Sequence, residues 1–272
     1  MHTKKSLGQN FLIDPNIQRK IVDLLDLSLS DTVMEIGPGR GALTSHLVGR
    51  VGSLILIELD DDLVCDLQTR WGGRPDVDVR HQDFLDVDLT KITEDLTQLI
   101  VLGNIPYNIT APIIFKLLER PRPKDIFLMV QREVADRLVA PAGVTEYGAL
   151  SVGVRSIAQV NIEFRVPRTA FRPMPRVDSS VVRIKPIQPP PLSVEEEISL
   201  RNVTRAVFQW RRKQIQKTLR DHSDLSFPGE FLNNIIRETG WDLKRRPETF
   251  NPEEFVRLSK LVQKRLDETS CV

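Results

Sequence analysis

The chain has 272 residues, 40% hydrophobic and 28% charged, a globular balance that excludes a disordered chain and suits one large domain or a main domain with an appendage. No stretch approaches eighteen consecutive apolar residues, and the N-terminus leads into Gly8-Gln9-Asn10 without an apolar run, so neither a membrane span nor a secretory signal is expected. Cys65 and Cys271 stand outside any CxxC or histidine-rich setting, which disfavours a disulfide framework or structural zinc and fits a reducing cytoplasm.

The net charge of +1 divides unevenly. Residues 1–100 carry 10 Lys/Arg against 17 Asp/Glu, whereas residues 101–272 carry 28 against 20. Any polyanion is expected to meet the second part, although chance clustering of solvated charge explains the asymmetry equally well.

Asp14-Pro15 starts a helix over Ile17–Leu27, with Ile17, Ile21, Val22, Leu24 and Leu25 on one face. The strand Thr32–Ile36 ends in glycines, and a helix over Gly41–Val48 follows. A buried strand Ser53–Glu58, a helix Asp61–Trp71 and a strand Val77–Val79 come next. Leu99–Leu102 and Ile126–Val130 are strands, with helices over Ala111–Leu118 and Val134–Val139. Strands separated by helices imply a parallel sheet covered on both faces. Val160–Val166 and Val181–Ile184 flank the proline-rich Pro167–Pro175 and add a hairpin-like end to that sheet. Lys185–Pro191 contains four prolines and reads as a linker. Beyond it, Val194–Gln209, Lys213–Arg220, Phe231–Glu238 and Pro252–Leu266 are helical. The predicted class is α/β: a Rossmann-like sheet domain over 1–188, its first fifteen residues a flap, then an all-helical domain over 189–272.

Doubly wound sheets bind ligands at the carboxyl ends of their strands. After the first strand comes Glu35-Ile-Gly37-Pro38-Gly39-Arg40-Gly41-Ala42, where glycines permit a sharp turn and close ligand approach. Glu58 ends the second strand and is suited to the hydroxyls of a ribose. Gly37-x-Gly39-x-x-Ala42 with Glu58 fits a nicotinamide dinucleotide and S-adenosylmethionine alike, and a bare structural turn is the third reading. Asp83, after the third strand, favours an adenosyl ligand by holding its adenine amine with Phe84 beside the ring; a helix N-cap is its ordinary alternative.

The most informative segment is Asn104-Ile105-Pro106-Tyr107, after the fourth strand. An exocyclic adenine amine is a poor nucleophile because its lone pair is delocalised into the ring, and no carboxylate is basic enough to deprotonate it. The practical route to methylation is to accept its hydrogen bonds and hold it in line with a sulfonium methyl. Asn104 offers a side-chain carbonyl, Ile105 a peptide carbonyl fixed by Pro106, and Tyr107 a face for base stacking. No His or Lys suited to hydride chemistry occurs at these strand ends, which counts against a dehydrogenase. Phe171, on the loop running to Asp178, either sandwiches the base against Tyr107 or is tucked into the core. Gln9-Asn10-Phe11-Leu12 suits a flap over the cofactor. Residues 201–220 hold seven Lys/Arg and no acid, suited to RNA phosphates or to a solvated helix face.

Together these segments resemble the ribosomal RNA adenine dimethyltransferases of the KsgA type over nearly the whole chain. The likeness runs through Leu7-Gly-Gln9-Asn10-Phe11-Leu12, Glu35-Ile-Gly-Pro-Gly39, Ile57-Glu58-Leu-Asp60, Gln82-Asp83, Asn104-Ile-Pro-Tyr107, Tyr147-Gly148 and Phe171-x-Pro-x-Pro-x-Val-Asp178-Ser179. It implies that Asn10, Leu12, Gly37, Gly39, Glu58, Asp83 and Asn104 contact S-adenosylmethionine. Asn104, Pro106, Tyr107 and Phe171 would handle the target adenine, and Arg211, Arg212 and Lys213 the RNA, with no metal. The implied activity is dimethylation of two adjacent adenines in the 3′-terminal hairpin of 16S rRNA, by a cytoplasmic monomer acting on immature 30S subunits. Gln82, where many members have Gly, and Arg176, where they have Lys, are departures. The rivals are the antibiotic-resistance methylases of large-subunit RNA, which also carry Asn-Ile-Pro-Tyr; Pro175-Arg-Val-Asp178-Ser179-Ser-Val-Val and Arg211-Arg212-Lys213 favour the small-subunit type. A mainly non-catalytic assembly factor is the other alternative, and the intact Asn104–Tyr107 motif argues for a live enzyme.

Overall fold

The structure, a computed structural model, describes residues 9–270; the first eight residues of the expected flap and Cys271 lie outside them. The chain forms two compact units, one comprising residues through Ala135 with Val160–Pro186 and the other Asp136–Gln159 with residues from Ile187 onward. The expected border at 188/189 left residues 136–159 with the sheet; the structure groups them with the C-terminal helices instead.

The first unit is built on a seven-stranded sheet. In chain order its elements are β1 (Phe11–Leu12), α1 (Pro15–Asp23), β2 (Thr32–Ile36), α2 (Thr44–Leu47), β3 (Ser53–Glu58), α3 (Asp61–Trp71), β4 (Val77–His81), β5 (Ile100–Asn104), α4 (Thr110–Leu117) and β6 (Asp125–Gln131). Helix α5 (Arg132–Val139) and helix α6 (Ala149–Arg155) follow, then β7 (Ala158–Val166), β8 (Phe171–Arg172) and β9 (Ser179–Pro186). The strand order is β4-β3-β2-β5-β6-β9-β7, parallel from β4 to β6 and antiparallel between β6 and β9. Strands such as Val33–Ile36, Leu54–Ile57 and Ile126–Val130 are buried along their length, because helices cover both faces. Leu54, Leu56, Leu102, Phe127 and Met129 belong to the core.

Chain direction through the sheet reverses between β2 and β5, so their carboxyl ends frame the crevice where such folds bind ligands. The predicted helix over Gly41–Val48 shortens to Thr44–Leu47, because Gly37, Gly39 and Gly41 take φ of 64°, 58° and 74° and the chain turns there instead of coiling. Helix α1 starts at Asp14, whose carboxylate accepts from the amides of Asn16 and Ile17. A separate ribbon pairs β1 with β8, setting Phe11 opposite Arg172 and Leu12 opposite Phe171.

In the second unit, α6 lies buried at Leu150–Val154 and packs on α7 (Val194–Gln209) and α10 (Pro252–Ser270). Helices α8 (Ile215–Asp221) and α9 (Gly229–Thr239) complete it. Tyr147, fully buried, donates its hydroxyl to the Phe250 carbonyl at 2.7 Å. Around that contact Phe208 meets Tyr147 edge-on and stacks on Phe255, which meets Phe250 edge-on.

Candidate active site

At the carboxyl ends of β2 to β5 lies a cavity of about 520 Å³, within the range of sites for small ligands. The glycine turn (Gly37, Gly39), Glu58, Asp83, Asn104, Pro106 and Tyr107 all line it. Asn10 and Leu12 close it from the ribbon side. Thus nine of the ten residues that the sequence assigned to cofactor and base meet at one place.

Glu58 does more than face a ligand. One carboxylate oxygen accepts from the Gly39 amide at 2.9 Å; the other accepts from Leu59 at 2.9 Å and Asp60 at 3.0 Å. It fastens the glycine turn to the end of β3, and Gly39 resists a side chain, since its φ of 58° is strained for other residues and a Cβ there would sit a tight 3.1 Å from the Phe11 ring. A carboxylate has about four acceptor positions, so Glu58 keeps one, on the oxygen facing Gly39. Burial pushes its carboxyl up from the usual range, partly offset by those amide bonds.

Glu35, which the sequence reading quoted without assigning a role, also lines the cavity. It is buried and accepts from the Thr44 hydroxyl at 2.7 Å. Desolvation pushes its carboxyl up to about 7, the Thr44 bond opposes this, and the charge of Glu58 adds to it. The signal was in the sequence as an acid inside an apolar strand, a placement that burial makes costly unless something uses it.

Asp83 accepts from the Leu85 amide at 2.9 Å, so its capping role and its place in the cavity wall coexist. Asn104 donates a side-chain N–H to the Asn10 carbonyl at 3.0 Å. A backbone carbonyl only accepts, so this contact fixes which end of the amide is nitrogen and turns Oδ1 elsewhere. The Tyr107 hydroxyl bonds Ser179 Oγ at 2.7 Å, and burial raises its pKa. The ribbon segment is sewn down by Gln9 to Asp60 at 2.9 Å, Gln18 to the Leu12 carbonyl at 3.0 Å, and Ile13 to the Ala170 carbonyl at 2.8 Å.

Phe171 is the exception. It is 1% exposed, belongs to the core and does not line the cavity. Strand alternation explains it: at Phe171 the pairing with Leu12 turns the side chain into the core, and the next residue, Arg172, reaches the cavity wall instead. The predicted sandwich with Tyr107 is not formed.

The basic cluster also divides. Arg211 bonds Glu248 at 2.6 Å and the carbonyls of Thr145 and Val144 at 2.8 and 3.1 Å, so it binds its own unit together and is a poor candidate for RNA. Arg212 and Lys213 instead line a second cavity of about 510 Å³ with Lys217, Lys244 and Arg246. The last two lie some thirty residues on in sequence, which hid them from a reading of one helix.

A glycine turn, two buried acids, Asp83 and an amide, spread over the carboxyl ends of four neighbouring strands of a doubly wound sheet, define a Rossmann-like methyltransferase that uses S-adenosylmethionine. The chain fits that cofactor. Glu35 and Glu58 are buried beside the cavity, and among the described residues no Lys or Arg pairs with either, which suits a cationic ligand. Residues 1–264 match the family model described as ribosomal RNA adenine dimethylase. The chain belongs to that family.

Among its relatives are ribosomal RNA small subunit methyltransferase A of Geobacillus sp. (strain WCH70), 40% identical over 96% of this chain and 91% of the relative, and that of Alkaliphilus oremlandii, 38% identical over 96% and 92%. The crystal structure of a dimethyladenosine transferase from Plasmodium falciparum superposes with a TM-score of 0.80 at 26% identity, covering 91% of this chain and 95% of that one. That of the 23S rRNA methyltransferase ErmE gives 0.70 at 25%, covering 93% and 99%.

Proposed function

We propose that the protein dimethylates adenine amino groups of small-subunit ribosomal RNA, at two adjacent adenines of the 3′-terminal hairpin, acting as a single chain on immature subunits in the cytoplasm. The observation that carries the reading is Asn104. One of its two amide N–H groups is given to the Asn10 carbonyl, which fixes the amide's orientation and leaves the carbonyl oxygen as the acceptor for a substrate amine. The small-subunit assignment follows relatives of that name at 38–40% identity across nearly the whole chain, and among solved structures the dimethyladenosine transferase superposes better than the 23S rRNA enzyme, with TM-scores of 0.80 and 0.70.

S-adenosylmethionine, when bound, supplies an electrophilic methyl on a sulfonium. Glu58 is assigned one ribose hydroxyl through its open acceptor position, Asp83 the adenine amine of the cofactor, and Asn10, Leu12, Gly37 and Gly39 the cavity wall around them. Asn104 Oδ1 and the Ile105 carbonyl, fixed by Pro106, accept the two N–H groups of the target adenine. Both acceptors draw its lone pair out of conjugation and orient it for in-line attack. Tyr107, steadied by Ser179, offers its ring as the stacking surface. The proton is lost after transfer, when the methylated amine is acidic enough for water to take it. Arg212 and Lys213, with Lys217, Lys244 and Arg246, are assigned RNA phosphates. Incubation with labelled S-adenosylmethionine and separated unmethylated subunits tests the reading: label in small-subunit adenines supports it, and label in large-subunit RNA alone sinks it.

A further inference from the structure

We propose that Arg172 anchors the RNA at the mouth of the active-site cavity, its guanidinium taking a backbone phosphate beside the adenine held by Asn104 and Tyr107. The inference rests on the reading that this cavity methylates RNA adenines. Arg172 ends β8, in register with Phe11, and its side chain lines the cavity together with Tyr107 and Asn108. It is exposed, and among the described residues it has no ion pair or side-chain hydrogen bond. Arg40 also lines the cavity, its guanidinium lying over the Phe11 ring at 4.9 Å, whereas other cations of this unit are engaged: Arg70 bonds the Arg40 carbonyl and Asp66, Lys116 the Leu85 carbonyl, and Arg183 pairs with Asp125.

The loop that carries Arg172 is held at both ends. The Ala170 carbonyl accepts from Ile13 at 2.8 Å, Asp178 accepts the Arg168 amide at 2.9 Å through its side chain, and its carbonyl accepts the Arg132 amide at 3.0 Å. Phe171 is locked in the core beside it. The guanidinium is therefore presented without a backbone segment having to order on binding, which reduces the entropic cost. Along the loop, exposed Arg172 and Arg176 alternate with exposed Met174 and Val177. Cations interleaved with apolar side chains suit a single strand, whose phosphates and splayed bases are met in turn.

Two anions could reach Arg172: an RNA phosphate and the carboxylate of the cofactor's methionine half. Its exposure favours the phosphate, since the residues assigned to the cofactor, Glu58, Asp83, Asn10, Leu12, Gly37 and Gly39, are all buried or half-buried. A planar fork of donors matches phosphate oxygens in pairs, which a lysine does not reproduce.

The test compares Arg172→Ala, Arg172→Lys and Arg172→Glu with wild type, after melting curves establish that each folds. Steady-state methylation of small subunits gives KM and kcat, calorimetry gives the affinity for S-adenosylhomocysteine, and subunit titrations across salt give the slope of log affinity on log salt. Arg172→Ala should raise KM about tenfold, the loss of one charge-assisted bond, with a much smaller change in kcat and in S-adenosylhomocysteine affinity. Its salt slope should be shallower by about one. Lysine should recover part of the loss and glutamate should deepen it. Wild-type KM and slope in both the alanine and glutamate variants would overturn the proposal. A loss of S-adenosylhomocysteine affinity matching the rise in KM would overturn it too, by giving the arginine to the cofactor. Titration needs no turnover, so a wild type that transfers no methyl to small subunits would sink the functional reading while the slope still judged Arg172.

Discussion

Replacing Glu58 by alanine should injure both the fold and cofactor binding, and the structure separates the two losses. The carboxylate accepts three backbone amides, from Gly39, Leu59 and Asp60. Each bond to a charged acceptor contributes roughly 1.5–3 kcal/mol. Two of the three are made to the next two residues of one turn, and the desolvation that raises the Glu58 pKa opposes the whole set. We therefore expect a net loss of about 2–4 kcal/mol, which for a chain of this size lowers the Tm by roughly 4–16 °C. Glutamine is no safe substitute: its amide nitrogen would face at least one backbone N–H, donor against donor. The cofactor effect is a further roughly ten- to hundredfold loss of affinity, from one ribose hydroxyl bonded to the remaining acceptor position. Differential scanning calorimetry gives the first quantity; titration with S-adenosylhomocysteine below the variant's Tm gives the second. A variant with an unchanged Tm would refute the fastening role, and a less stable one with wild-type affinity would refute the ribose role.

Asn104→Ala should cut methyl transfer at least a hundredfold, the cost of losing one preorganised group at the reacting atom, while subunit binding by filter assay moves little; near-wild-type turnover would dismiss the proposed chemistry. Burial holds Glu35 up at about 7 against an ordinary 4.5, so the folded state keeps a proton that the unfolded chain has already lost between those values. Stability should therefore fall as pH rises through that window, by ~3 kcal/mol in all, and level off above it. Urea unfolding at several pH values should find that Glu35→Gln removes most of this slope, and an unaltered profile would contradict the assignment. Arg211→Ala should lower the Tm because it strands Glu248 and two carbonyls, while leaving the salt slope of subunit binding intact. A combined Arg212→Glu, Lys213→Glu and Arg246→Glu variant should do the reverse, and equal slopes in it and wild type would leave the second cavity without a role.

The parallel sheet and its strand-end residues were legible because each rests on a local signal. Buried strands are unbroken apolar runs, and Gly37, Glu58, Asp83 and Asn104 follow them at the places where this topology opens a crevice. What escaped depends on contacts across the chain. The ribbon of Phe11–Leu12 with Phe171–Arg172 is two residues per strand, too short for any periodicity, and it decides that Phe171 enters the core while Arg172 reaches the cavity. Helix α6 is buried on nearly all sides, so it has no polar face to betray a helical period. Arg211 looked like its neighbours until Glu248, thirty-seven residues away, was seen to hold it. Lys244 and Arg246 join the basic cavity only because their segment folds back beside α8.

The most direct test of the account is to supply methyl-labelled S-adenosylmethionine to the purified protein with small and large subunits from cells lacking this modification, then map modified bases by mass spectrometry. The account predicts two methyl groups on the amino nitrogen of each of two adjacent adenines in small-subunit RNA, and none once Asn104 is alanine. Methyl transfer confined to large-subunit RNA, or none to either subunit by a protein that binds the cofactor, would contradict it.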